Sequence, residues 1–253
     1  MQDGTEVTGM VLSSMPVGEA DRRVVLLTAE LGRISAFARG ARKPTSSLVS
    51  ATRTFAFGKF TVFTGRNSYT LGKADVRDYF EEIVGDVERT AYGCYFAELS
   101  GLFSRENADG RAVLSLLYSA LRALSRGKMP PALIRRVFEL SVLHENGVLP
   151  DFSVCPDCGK PYFAGHFLKS RMQAVCTECL PEPAGIPLSR SALYALRFIS
   201  GTPAEKLFSF TLSEAPMKEL SDTADALLDM NLDREPKSLE LLSVLGSEIS
   251  GHN

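Results

Sequence analysis

Nowhere in this chain does an apolar run reach the roughly 18 residues that a membrane-crossing helix requires. The opening MQDGTEVTGM also lacks the basic and apolar regions of a secretory signal. A cytoplasmic location, with no membrane partner, is the expectation. Histidine is scarce: there are three, and His252 lies in the tail, so a histidine-based catalytic centre has little to be built from. The sequence contains no G-x-x-x-x-G-K-[ST] phosphate loop, no G-x-G-x-x-G after a strand, no H-E-x-x-H and no G-x-S-x-G. No catalytic residue is therefore assigned, and a protein without catalytic turnover is expected. Internal repeats and low-complexity tracts are absent as well.

Cysteine is sparse and odd in number, at five, which is not how a secreted disulfide framework reads. Four of the five fall in two tight pairs, Cys155-x2-Cys158 and Cys176-x2-Cys179, with seventeen residues between the pairs. This spacing belongs to the class that binds zinc. Two residues between cysteines let one turn aim both sulfurs at a single ion, and Gly159 suits the bend after the first pair. Four thiolates fill a tetrahedral site and leave no position for water, so one structural Zn2+ is expected. Such an ion contributes about 10–16 kcal/mol of apparent binding energy to folding, replacing a core that so short a segment cannot build. Redox cycling of either pair is the other reading. His166 between the pairs could substitute for a cysteine, but with four cysteines present it reads as a surface loop histidine. Cys94, in AYGCYFAEL, reads as a small buried hydrophobe.

Acid is missing from one long stretch although the chain as a whole carries a net charge of −2. Between Arg22 and Lys73 there are ten basic residues and a single acid, Glu30. Such asymmetry points to a polyanionic partner for the basic part, against the plainer reading of a solvated basic surface. The first 76 or so residues read as short strands, TEVTGMVLSS, RRVVLLTA, GRISAFAR, TFAFGKFTVFT and SYTLGKADV, separated by Gly, Pro and Asn turns such as MPVGEAD and GRNS. Five strands of this kind fit a small OB-type Greek-key barrel. Alternation in GRISAFAR puts Ile34, Ala36 and Ala38 on the inner face and Arg33, Ser35, Phe37 and Arg39 on the outer. An outward Phe37 among arginines suits base stacking and phosphate tracking. A register slipped by one residue would instead make Phe37 barrel core. The loop RGARKPTSS, with Arg39, Arg42 and Lys43, reads as a mobile basic loop beside the barrel mouth.

After Val76 the spacing becomes helical. VRDYFEEIVGDVERTAYGCYFAELSGLFS places Phe80, Ile83, Val84, Val87, Ala91, Cys94, Tyr95, Leu99 and Leu102 on one stripe, as one helix or a pair. Asp75, Asp78, Glu81 and Glu82 read as acids complementing its N-terminal dipole. A second helix follows Asp109, a third runs from Pro130 and Pro131 to Gly147, and SRSALYALRFIS, SEAPMKELSDTADALLDMNL and PKSLELLSVLG supply more, with Pro216 confined to a first turn. The expected organisation is α+β: an OB-fold nucleic-acid-binding domain over 1–78, a helical domain over 79–150 and 183–253, and an inserted four-cysteine zinc module over 151–182.

GEADRRVVLLTAELGRISAFARGARKPTS, the helical region broken by C-P-x-C-G and C-x-x-C, and the late REPKSLELL together resemble the RecO family of bacterial recombination mediators over nearly the whole chain. That resemblance implies an OB-fold domain ahead of a helical domain carrying a zinc module. It implies binding of single- and double-stranded DNA, annealing of complementary strands, engagement of RecR and single-stranded-DNA-binding protein, and help in loading RecA, in the cytoplasm at the nucleoid. By position it nominates Arg22, Arg33, Arg39, Arg42 and Lys43 for DNA contact and Asp21 for positioning, through a pair with an arginine. The sequence departs from the family at Gln173 and Ala174, where glycines are usual, so the second knuckle is expected to turn differently. A partner's acidic, aromatic tail would want an apolar groove near a basic residue, with Arg135 and Arg136, or Arg197 beside Phe198, as candidates by type. A protein-interaction adaptor and a zinc-dependent nucleic-acid enzyme stay open as alternatives.

Overall fold

The computed structural model describes residues 4–66, 68–180 and 184–250, the last six through their backbone only. His252, Asn67 in the GRNS turn and part of PEPAGIP lie outside them. Two compact units form, one from 1–125 with 236–253 and one from 126–235. The division falls at the end of the second long helix, within the stretch read as the first half of the helical domain.

In the first unit β1 (Thr5–Val17), β2 (Asp21–Thr28), β3 (Gly32–Ala38), β4 (Phe57–Thr64) and β5 (Tyr69–Asp78) close a barrel in the order β1-β2-β3-β5-β4. This is the expected OB arrangement. Closure needs β1 to serve two neighbours, and its length allows it: Thr5–Met10 pairs with β4 while Gly9–Val17 pairs with β2. A register shift between Val11 and Ser13 supplies the bend. Alternation holds along β3, with Ile34, Ala36 and Ala38 buried, Arg33 and Arg39 exposed, and Ser35 and Phe37 half-buried on the outer side. Inside, the small Ala36 and Ala38 pack with Phe60, Tyr69, Val24 and Leu26, and Leu48 and Ala51 of the short helix α1 (Leu48–Ala51) join the same cluster. The β2–β3 turn requires glycine at 32: its φ is +64°, and a Cβ there would stand 2.1 Å from the Arg105 carbonyl oxygen.

The barrel is followed by α2 (Glu81–Val84), α3 (Val87–Leu102) and α4 (Arg111–Arg126). The apolar stripe is interrupted at Gly85, where Asp86 caps α3 by accepting the Arg89 N–H at 3.0 Å. Val84 and Val87 consequently sit at the break and are exposed, while Ala91, Tyr95 and Leu99 are buried. The acids also divide differently from the expectation. Asp75 and Asp78 belong to β5, and only Glu81 and Glu82 lie in a helical first turn. Asp78 pairs with Arg122 of α4 at 2.9 Å and accepts the Phe80 N–H at 3.1 Å, locking the strand end to the helix.

In the second unit α5 (Pro131–Glu145) begins with proline at N1 and stops before Gly147, as its sequence dictates. A three-stranded sheet follows, β6 (Gly165–Leu168), β7 (Gln173–Cys176) and β8 (Ile186–Leu188), in the order β7-β6-β8. The unit ends with α6 (Arg190–Gly201), α7 (Ala204–Leu207) and α8 (Glu214–Asn231), the last holding Pro216 in its first turn. The final helix, α9 (Lys237–Ser250), returns to the first unit. Glu98 of α3 anchors its start, accepting the Lys237 N–H at 3.1 Å and the Ser238 N–H at 2.9 Å.

Candidate nucleic-acid interface and metal centre

Strand pairing brings most of the nominated basic residues to one end of the barrel. Arg22 lies opposite Ala38 and Arg23 opposite Phe37 on the β2–β3 ladder. Arg39, Arg42 and Lys43 are exposed in the loop that leaves β3. Arg33 is placed elsewhere: six residues before Arg39, about 20 Å along an extended chain. Its Nη1 donates to the Gly101 carbonyl at the end of α3 at 2.6 Å, where the helix dipole is negative. Arg22 shares inward parity with the buried Val24 and Leu26, and its Nη1 donates to Ser14 Oγ at 3.1 Å. Arg23 has the outward parity. It is exposed beside Phe37, with its Nε donating to Ser35 Oγ at 2.8 Å. The sequence reasoning missed Arg23, and alternation along DRRVVLLT is the signal that finds it.

The loop expected to be mobile is stapled to the β1–β2 turn. Asp21 Oδ1 accepts the Gly40 N–H at 2.7 Å, the Arg42 N–H donates to the Ala20 carbonyl at 2.9 Å, and Arg42 Nη1 reaches the Gly18 carbonyl at 2.8 Å. Asp21 thus positions the loop, but by taking a backbone N–H and not by pairing with an arginine. A charge-assisted bond of this kind contributes about 1.5 kcal/mol. Asp21→Ala is therefore expected to accelerate hydrogen exchange at the Gly40 amide about tenfold; unchanged protection would show that the turn holds itself without the carboxylate.

All four paired cysteines converge, their sulfurs lying within 4.8 Å of one another. The Cys158 and Cys176 sulfurs are 3.9 Å apart, against about 3.8 Å for two thiolates sharing one tetrahedral zinc. The donor set and its geometry therefore fit a metal ion. In the first knuckle Gly159 adopts φ +70° and its N–H returns to the Cys155 carbonyl at 2.8 Å. The second closes by a shorter step, the Cys179 N–H donating to the Cys176 carbonyl at 3.2 Å. Cys155 and Cys176 are buried while Cys158 is exposed. Burial pushes the Cys155 thiol up, but backbone N–H groups of Cys176, Cys158 and Asp157 outweigh it and bring its pKa down to about 6. Around the cluster, Arg171 grips Asp157 with two N–H bonds, and Arg197 of α6 holds the segment by donating to the Phe152 and Tyr162 carbonyls at 2.8 and 2.5 Å. His166 stands in the middle strand β6 and is not part of the four-sulfur cluster.

A closed five-stranded OB barrel with a pinned basic loop, followed in the chain by helices and a four-cysteine module, defines the architecture. Residues 1–80 match the family described as Recombination protein O N terminal, and residues 84–240 that described as Recombination protein O C terminal. Among curated relatives, DNA repair protein RecO of Acetivibrio thermocellus is 31% identical over 242 residues, covering 95% of this chain and 96% of its own. That of Anaeromyxobacter sp. (strain K) is 32% identical over 249 residues, covering 96% and 98%. The chain belongs to the recombination protein O family, which places it in DNA repair and recombination. Among the described residues no helix is long and apolar enough to cross a membrane.

Proposed function

We propose that this protein is a recombination mediator that binds single- and double-stranded DNA on the basic end of its barrel and anneals complementary strands. It then acts with RecR, on DNA covered by single-stranded-DNA-binding protein, to help load RecA. The observation that carries this reading is the pinned loop. Arg39, Arg42 and Lys43 are exposed on a backbone fixed by Asp21, beside Arg23 and a half-exposed Phe37. Such a surface neutralises phosphate on either strand and offers a ring to an unpaired base. Arg22 borders it, and Arg33 extends the positive track along β3 through the N–H groups that Gly101 leaves unused. Annealing needs no catalytic side chain, because lowering the repulsion between two polyanions raises their encounter rate. The ion at Cys155, Cys158, Cys176 and Cys179 is zinc in this reading, and it supplies structure: four thiolates leave no open position for substrate. The site of action is the cytoplasm, at the nucleoid.

The test is the pairing rate of two complementary oligonucleotides across a salt series. The wild type should accelerate pairing steeply at low salt. Changing Arg39, Arg42 and Lys43 together to Ala should abolish most of the acceleration and reduce the salt slope of single-strand binding by roughly 2, at about 0.7 per lost contact. An unchanged slope in a folded variant would remove the barrel loop from the site and favour an adaptor acting through protein partners alone.

A further inference from the structure

The second unit carries an aromatic and cationic cavity that neither the barrel site nor the cysteine cluster uses. It has a volume of about 410 Å3 and is lined by Phe163, Arg190, Tyr194, Arg197, Phe198 and Phe210 together with small, hydroxyl-bearing and aliphatic groups, without an acid among its lining residues. Two of these rings stand in solvent, Tyr194 at 69% and Phe163 at 61% exposure. Tyr194 and Phe198, one turn apart on α6, lie nearly parallel at 21° with centroids 6.5 Å apart, and Phe210 meets Phe198 edge-on at 5.3 Å. The Arg190 guanidinium lies 5.4 Å from the centre of the Phe163 ring and has no ion pair among the described residues. Arg197 is already committed inward, to the Phe152 and Tyr162 carbonyls.

We infer that this cavity is a second single-strand site, in which an unpaired base stacks on Tyr194 and Phe163 while Arg190 takes an adjoining phosphate. The inference rests on the DNA-annealing reading and deepens it. Charge and shape favour this occupant. The cavity is cationic with no acid of its own to offset it, and its exposed rings offer broad faces, which suit a planar base more than a side chain seeking a closed recess. An acidic peptide would draw its strength from a shielded guanidinium, and Arg197, the half-buried candidate, has its Nε and Nη2 occupied. Two strand sites carried on one chain tether a second strand to the first and so raise its effective concentration, which is what annealing requires.

The experiment uses the full, zinc-loaded chain and an oligothymidylate of about eight nucleotides, short enough to fill one site. Two oligonucleotides should bind per wild-type chain, and one per chain after Tyr194→Ala with Arg190→Ala. Tyr194→Phe, which keeps the ring, should restore the second. Photocrosslinking of a 5-iodouracil-substituted oligonucleotide to the wild type should mark Tyr194 or Phe163, a result that does not depend on any variant folding. If the barrel-loop triple variant changes nothing while Tyr194→Ala with Arg190→Ala removes binding, the barrel assignment fails and this site stands. Crosslinks confined to the barrel, with stoichiometry unchanged in the Tyr194 and Arg190 variant, would overturn the inference. So would protection of Tyr194 from surface nitration by an acidic, phenylalanine-bearing peptide but not by the oligonucleotide, which would make the cavity a protein-docking site.

Discussion

Cys155→Ser is expected to release the metal and unfold the second unit while the barrel unit still melts as a separate transition. The cysteine segment draws its buried apolar groups from only a few positions, chiefly Phe152, Tyr162, Phe167 and Val175. A zinc ion on the four thiolates, as proposed, would tie its first loop to the end of β7, and the binding energy of such an ion, about 10–16 kcal/mol, is comparable to the whole stability of a typical domain. Cys155 is the most consequential of the four to remove. It is fully buried, its sulfur accepts the Cys176 N–H at 3.4 Å, and backbone N–H groups lower its pKa and so favour the thiolate. Serine cannot supply that anion, and the three remaining sulfurs would repel one another without a completed shell. Calorimetry with metal analysis checks the outcome: about one zinc per wild-type chain, none in Cys155→Ser, and the transition of the second unit lost. Cys94→Ser, on α3, should keep full metal content. A Cys155→Ser protein that still binds one zinc and melts like wild type would remove the structural role of the cluster.

What the sequence discloses and what it conceals divide along the range of the interactions. The barrel strands are legible because alternation in GRISAFAR is a property of neighbouring residues, and Ile34, Ala36 and Ala38 are buried as that pattern demands. The limits of α5 are legible for the same reason, since proline at its start and glycine after its end act through their own backbone. The cysteine spacing speaks of its own geometry, and the four sulfurs do meet. Long-range partners leave no such trace. That Asp21 takes a backbone N–H nineteen residues away, or that Arg33 is drawn to a carbonyl sixty-eight residues away, depends on how hairpins and helices close. Asp78 looked like a helix-start acid because four acids cluster in sequence, yet β5 runs on to include it and Arg122 claims it. The last helix looked like the end of one helical domain. Its attachment through Glu98, far back in α3, is a tertiary choice that no local pattern announces.

Glu139→Ala is expected to cost about 3–5 kcal/mol in the second unit, far more than the loss of a surface ion pair. Glu139 lies on α5 in VFELSVL, where periodicity calls for an apolar residue, and its side chain is 0% exposed. Both oxygens are used: Oε1 accepts from Arg135 Nε at 2.7 Å and Oε2 from Arg136 Nη1 at 2.9 Å. Arg136, 13% exposed, also clasps Asp225 of α8 with two N–H bonds, so the network joins the two helices. Burial alone would lower the Arg136 pKa, but the Glu139 and Asp225 carboxylates outweigh it and push it well above the ordinary arginine range. Its charge is fixed at every accessible pH. Removing Glu139 therefore strands positive charge that cannot be shed by deprotonation, and the cost is mainly that of the orphaned guanidinium groups. The discriminating comparison is a variant in which Glu139, Arg135 and Arg136 all become Leu or Met. If orphaned charge is the cause, denaturant unfolding should show this triple variant recovering most of the stability that Glu139→Ala loses, since Asp225 is half-exposed and can be solvated by water. A triple variant as unstable as the single one would show instead that the ion network is needed to dock α5 on α8. Because Glu139 is shielded from solvent, the loss in the single variant should also be nearly the same in low and high salt, unlike the DNA affinity of the barrel loop.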